Sequence, residues 1–538
     1  MINQYKSKPL PEYDKFYFSH VYPEEIKSAI FSINSNAVGD DGIPVKFLKL
    51  CIDSILPVLE HIFNYCLEKG VFPIKWKMAN VRPIPKIKKP AQCKDFRPVS
   101  IICVIAKAFE KIVHKQITAF IAEKGIMNPM QSGFLKGHST TTALIKVTDD
   151  LRKGIDKRKV NLLILLDFSK AFDRVHHDLL IAKLKYFGFS DLSLKWVKEY
   201  LTGRWQRVVY GMEFISDWDS PETGVPQGSV LGPLFFALYI NDISNVLKYC
   251  MYHLYADDLQ LYIQFLIDEY LIACNNVNSD LTDIISFSKG HNLALNIEKT
   301  QPIIIGSPKY IARLESEGVR SICINGIAVP FCSNVVNLGI TFDSTLCWDK
   351  HSTNVINRVF STLAQVRRNF TVLPTDIRKR IVQSLIMPIF DYGNVLFSDI
   401  PITTNIKLPR AQNACIRFIT GGSKYDHITP RYIEVNMLKL AERRLIAQAI
   451  LLWKIIKYKC PGYLHKKYTF MSSVHTRENR HTNKMMQLPN HRTEKYAKSF
   501  LVATSKLWNE HNINSYMHYQ TFQPLRNDLF RFYSEAMQ

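Results

Sequence analysis

Runs and alternations of apolar residues along the chain define its elements before any other property is considered. Ile26, Ile30 and Ile33 recur at helical spacing after Tyr22, and a Gly/Asp/Pro turn at Gly39 to Pro44 separates them from a second helix predicted over Val45 to Leu67. Pro83, Pro85 and Pro90 among Lys86, Lys88 and Lys89 exclude helix and predict a basic, solvated extended arm. Helix resumes from Val104 to about Glu123. Leu162 to Leu166 is a continuous apolar run of the kind a strand buried on both faces shows, and it stops at Asp167.

Asp173 to Lys185 follows as a helix with Val175, Leu179, Leu180 and Leu184 on one face. Gly224 to Gly228 is too rich in Gly and Pro for regular structure, and Ser229 opens a helical apolar segment to about Ile243. Leu254 to Ala256 and Leu259 to Tyr262 are strand-like pieces parted only by Asp257 and Asp258, which predicts a hairpin tipped by two acids. Further strands are expected within Leu295 to Ile305 and Val335 to Phe342, and helices from Lys350 onward. From Pro461 to Lys498 the chain is basic, His-rich and poor in aliphatics, the pattern of a loosely ordered linker, and no internal repeat is visible.

At 538 residues with 47% hydrophobic content, the chain is long enough for several packed units, and wholesale disorder is excluded. Its 11 cysteines form no C-x-x-C pair and no zinc-finger spacing, and the polar, proline-bearing N-terminus lacks a signal-peptide core. The longest apolar run, Val230 to Ile240, is broken by Gly and Pro and falls short of the roughly 20 residues a membrane span needs. Together these features predict a soluble intracellular protein of the nucleus or cytoplasm, neither secreted nor membrane-bound.

The net charge of +22 is unevenly placed. Residues 1 to 200 carry 32 Lys and Arg against 20 Asp and Glu, residues 201 to 350 carry 9 against 16, and residues 351 to 538 carry 28 against 11. Basic lobes around an acidic centre suit polyphosphate held by positive walls over a metal-binding carboxylate cluster, although a cationic surface also serves solubility alone. Asp167, Asp257 and Asp258, at strand ends about 90 residues apart in sequence, have the pattern of a two-metal phosphoryl-transfer site, because hard oxygen ligands on rigid strands fix the metal spacing. Each acid taken alone serves equally well as a turn or cap residue.

The neighbours of these acids carry a resemblance. Leu165-Leu-Asp-Phe-Ser-Lys-Ala-Phe-Asp173, Gly224-Val-Pro-Gln-Gly-Ser-Val-Leu-Gly-Pro233 and Tyr255-Ala-Asp-Asp258 resemble the first palm motif, the template-grip loop and the metal-binding hairpin of the reverse transcriptases of non-LTR retrotransposons, of the LINE type and jockey-like or CR1-like. Weaker likenesses flank them: Asn80 to Lys86 and Asp95 to Ser100 with the fingers, Gln131 to Ser139 with a template-contacting insertion, Leu295 to Thr300 and Asn337 to Ile340 with the last palm motifs, and Ser384 to Gly393 with the thumb.

The resemblance implies an α+β right-hand polymerase with fingers, an antiparallel palm and a helical thumb. Its expected divisions are a helical extension of the fingers at 1–68, fingers and palm at 69–342, a thumb at 343–440 and a mainly helical basic region at 441–538. It implies transfer of dNMP from dNTP to a primer 3′-hydroxyl on an RNA template. Two Mg²⁺ ions, replaceable by Mn²⁺, would be held by Asp167, Asp257 and Asp258, with Asp258 the less direct ligand because adjacent strand residues face opposite ways.

Other roles follow residue by residue. Lys86 and Arg97 would clamp the triphosphate, and without the motif they are surface charges. Phe172 would exclude a ribose 2′-hydroxyl, and without the motif it is a core ring. Lys299 would protonate the leaving pyrophosphate or is a solvated strand end. Gln227, Gly224, Pro226 and Gly228 would hold the incoming nucleotide and templating base, while Gln131, Gly133, Lys136 and Ser139 would touch template. Asp173 is expected to cap its helix, His176 and His177 to lie on the surface, and Tyr392, Trp453 and Trp508 to be core.

Fewer than 40 residues precede the first recognisable motif, so an N-terminal endonuclease is not expected within this sequence, and neither a zinc knuckle nor a C-terminal nuclease motif is seen. The implied partners are an RNA template, a DNA primer or target and dNTPs. The competing expectation is a domesticated or truncated copy that binds RNA or RNA–DNA hybrid without polymerising, with group II intron maturases and telomerase as more distant likenesses.

Overall fold

The computed structural model describes residues 5, 11, 14–211, 214–318, 321–368, 370–398, 402–473 and 484–537. The fold is α+β. Its centre is a four-stranded antiparallel sheet in the order Gln301–Ile305, Val160–Leu166, Asp258–Phe265, Met251–Tyr255. Side chains alternate across a strand, so Val160, Leu162, Ile164 and Leu166 enter one apolar cluster while Leu163 joins another on the opposite face. Double-sided burial explains the unbroken apolar run there. Helix Thr140–Asp156 covers one face, and helices Gly232–Tyr239 and Tyr270–Gly290 belong to the cluster on the other.

A second sheet, Phe96–Ile101, Met78–Pro85, Trp205–Tyr210, Phe214–Ile215, stands beside it. The expected basic arm is therefore one half of an antiparallel ribbon in which Pro83 faces Pro98, and a third strand pairs parallel to its first residues, away from the prolines. Prolines lack the N–H a ladder needs, so this placement is where they cost least.

The helix expected over Val45 to Leu67 is two helices, Val45–Leu50 and Ile52–Lys69, which turn at Cys51 (φ −100°, ψ 11°) and so keep Val45, Leu48, Ile52 and Leu59 all buried. The helix expected from Asp173 starts at His177, after a 3₁₀ turn at Ala171–Arg174. His176 caps it, its ring nitrogen accepting from Leu179 N–H. Asp173 does not cap the helix.

Beyond a hairpin at Asn334–Asn337 and Ile340–Asp343, helices Asp349–Arg367, Thr375–Ile381, Ile402–Thr420 and Ile428–Glu434 surround their own apolar cluster. Trp453 and Trp508 lie in a further C-terminal core, whereas Tyr392 is 43% exposed, its hydroxyl donating to Leu338 O (2.7 Å). The linker expected after Pro461 is packed where it is described: Tyr463, Leu464 and Tyr496 are buried, and the Asp156 carboxylate accepts from the backbone of Arg492 and Thr493. These partners belong to helix Thr140–Asp156, far away in sequence, and local composition does not reveal them. Residues 474–483 of that expected linker lie outside the described residues. Among the described residues no helix is long and apolar enough to cross a membrane, and all eleven cysteines are free.

Candidate active site

Strand register brings the acids together. Leu166 pairs with Leu259 across the two central strands, so one further step sets Asp167 opposite Asp258 at the sheet's end. Asp257 lies in the two-residue connection Ala256-Asp257, and Tyr255 pairs with Asp258. The hairpin's tip is therefore Ala256 and Asp257, while Asp258 begins the returning strand.

Electrostatics report the same crowding. Loss of water around its carboxyl pushes the Asp257 pKa up, and the negative Asp167 adds to the rise, against Arg97 and Lys299, which oppose it. Desolvation, followed by repulsion from Asp257 and Asp167, lifts Asp258 to about 6. Lys299 extends from a 3₁₀ turn strapped to the same place: Asn296 N–H donates to Asp167 O (2.8 Å), the Asn296 side chain caps Lys299 N–H, and Lys299 Nζ reaches Asp167 Oδ2 at 3.2 Å. Among the described residues no three or more Asp, Glu, His or Cys groups already form a cage for a metal ion. The three carboxylates are nevertheless hard oxygen donors whose mutual repulsion Arg97 and Lys299 only partly offset, and that donor chemistry fits a divalent cation.

The loop Gly224–Gly228 is clamped between two elements. Gly224 N–H donates to Val175 O (2.8 Å), Val225 N–H donates to Phe172 O (2.9 Å), and Ser100 N–H donates to Gln227 O (2.6 Å). Gln227 Nε2 donates to Asp173 Oδ1 at 2.9 Å, the contact that Asp173 makes instead of a helix cap. At Gly228 (φ +117°) an added Cβ would lie 2.5 Å from Ser100 O, so only glycine permits this approach. Ser229 Oγ donates to Pro226 O, closing the turn. Phe172 is half-buried, stacked on Phe236 with centroids 4.6 Å apart and set edge-on to Phe134.

Lys86 and Arg97 are exposed on the proline ribbon, with Lys86 Nζ donating to Lys94 O. Lys136 is exposed as well, and Ser139 is the N-cap of Thr140–Asp156, its Oγ accepting from Thr142 N–H. Gln131 and Gly133 lie inside the protein. Both are buried against the hairpin tip, and the Gln131 amide bonds to the Ala256 backbone. His177 is not free on the surface, since its Nε2 meets Gly224 O at 2.8 Å.

Two contributors escape the sequence pattern. Glu110, wholly buried on helix Val104–Lys124, accepts from Val230 and Leu231 N–H at the start of the helix after the loop; burial raises its pKa, against the nearby Arg204. His253 shares a hydrogen bond with Ser132 (2.9 Å), which also contacts the Tyr463 hydroxyl (2.7 Å), linking the hairpin to the C-terminal region. Each lies at a helix or strand position whose local pattern reads only as core.

An acid at the end of a central strand stands beside an acidic hairpin, and a glycine loop is bonded to the segment Phe172–Val175 that follows the strand. Residues 85–341 match the family described as reverse transcriptase (RNA-dependent DNA polymerase). The proteins it is similar to include mobile-element proteins of Drosophila melanogaster. The "RNA-directed DNA polymerase from mobile element jockey" is 26% identical over 79% of this chain and 46% of its own length. The "Probable RNA-directed DNA polymerase from transposon BS" is 26% identical (78% and 47%), and that "from transposon X-element" is 27% identical (72% and 42%). The chain thus spans just under half the length of these relatives.

Proposed function

We propose that this chain is the RNA-directed DNA polymerase of a non-LTR retrotransposon, acting inside the cell on an RNA template, a DNA primer and dNTPs. The observation that supports this best is the register that sets Asp167 against Asp258 beside Asp257. Asp167, Asp257 and Asp258 would hold two Mg²⁺ ions, or Mn²⁺ in their place, which supply activation of the primer hydroxyl and neutralise charge on the leaving pyrophosphate.

The chain's own groups do the rest. Arg97 offers a planar fork and Lys86 a point charge to the triphosphate. The Phe172 ring, braced by Phe236, closes the space a ribose 2′-hydroxyl needs. Gly228 lets backbone approach the templating base, with Gln227 fixed by Asp173. Lys299 carries a proton on Nζ beside Asp167 and can deliver it to the departing pyrophosphate. In this reading the proline ribbon and its sheet are fingers, the central sheet is the palm, the helices from Asp349 to Glu434 are a thumb, and the basic C-terminal region, with Lys136 and Ser139, lies along the template path.

Primer extension tests it: the purified chain should extend a DNA primer on RNA with dNTPs and Mg²⁺, and Asp257→Ala should abolish extension while leaving hybrid binding intact. A folded parent chain that binds primed RNA but incorporates nothing would instead be a hybrid-binding protein.

A further inference from the structure

The tip that carries Asp257 is strained and is held from one side. Ala256 has φ +58°, which a non-glycine residue adopts only where its surroundings hold it. Gln131, 1% exposed, supplies the hold: its Oε1 accepts from Ala256 N–H (3.0 Å) and from Gly133 N–H (2.7 Å), and its Nε2 donates to Ala256 O at 3.5 Å. The amide's main hydrogen-bonding capacity is used within the protein, one bond on its own turn and two on the tip.

Backbone bonds fix the base of this brace. Leu254 N–H donates to Met130 O (3.0 Å) and Ser132 N–H to Leu254 O (2.9 Å), so residues 130–132 run beside the hairpin's first strand. Gly133 then lies so close that a Cβ would be 2.3 Å from Ala256 N. A side chain as long as glutamine, anchored here, is what reaches over the tip.

We propose that Gln131 is a positioning residue for Asp257: its amide fixes the Ala256 peptide, and the carboxylate one residue later is aimed through that peptide. This rests on the polymerase reading only for the role of Asp257, and the two can fail separately. Misplacement of a reacting group by about 1 Å can cost on the order of a hundredfold in rate.

The test uses the full chain with Gln131→Met, which keeps volume and removes the hydrogen bonds. Exchange of backbone amides across 251–260 should accelerate at least tenfold, with helix Val104–Lys124 unchanged. The kcat for dNTP incorporation should fall about ten- to a hundredfold, with KM for dNTP and affinity for primed RNA within threefold. Should Gln131→Met unfold, Gly133→Ala pushes the tip from the same side without removing the amide, and the same exchange signature and loss of kcat are expected. Hairpin exchange and kcat unchanged in the folded variant would overturn the proposal. An inactive parent whose hairpin exchange still responds to Gln131→Met would refute the polymerase reading and leave the brace standing.

Discussion

Replacing Asp150 by Asn should loosen the C-terminal region from the central sheet. The Asp150 carboxylate, 15% exposed, accepts from Lys467 Nζ (2.7 Å), from the Tyr262 hydroxyl (2.7 Å) and from Lys146. Burial by itself would raise its pKa, but Lys467 and Lys146 outweigh burial and bring it from 3.8 to about 2. That shift corresponds to about 2 kcal/mol of stabilisation. Asn also leaves two largely buried ammonium groups facing each other, which raises the expected loss to about 2–4 kcal/mol. A depressed carboxyl contributes fully above about pH 4 and loses its contribution as pH falls through about 2.

Hydrogen exchange at neutral pH reads the change locally: amides of Gly462–His465 and residues 466–473 should open about 30- to 1000-fold more often in Asp150→Asn, since each 1.4 kcal/mol is tenfold. The variant should also lose less stability than the parent on acidification below pH 4. Opening within threefold of the parent would refute the assignment of this network as the joint.

Two more changes separate roles that proximity alone leaves mixed. Phe172→Val should raise the kcat/KM ratio of rNTP to dNTP by about tenfold or more if the ring braced on Phe236 meets the sugar as proposed; an unchanged ratio would make Phe172 a core ring only. Glu110→Ala should cost about 2–4 kcal/mol in urea unfolding by leaving Val230 and Leu231 N–H buried and unpaired, while Glu110→Gln, which keeps an accepting oxygen, should cost less; equal losses would contradict the capping role.

How much of this was legible depended on the reach of each signal. The run Leu162–Leu166 ending at Asp167 and the hairpin around Asp257 and Asp258 are local patterns, and the fold keeps them where the sequence sets them. The bends at Cys51 and before His177 are not local, since burial against distant partners decides them. Gln131 shows the limit most clearly: in sequence it is a polar residue in a loop likened to a template contact, and only the closeness of Gly133 to Ala256 reveals it as an internal brace. Polar side chains with partners more than a hundred residues away, such as Glu110, Asp150 and His253, carry no periodicity and so no readable sign.

Manganese soaked into crystals of the chain and located by anomalous scattering would test the convergence of the three acids directly. The register of the central strands predicts Mn²⁺ within about 2.2 Å of oxygens from both Asp167 and Asp257, with Lys299 displaced from Asp167. Manganese on neither aspartate, or on Asp257 with Asp167 still paired to Lys299 in the presence of primed RNA and dNTP, would contradict it.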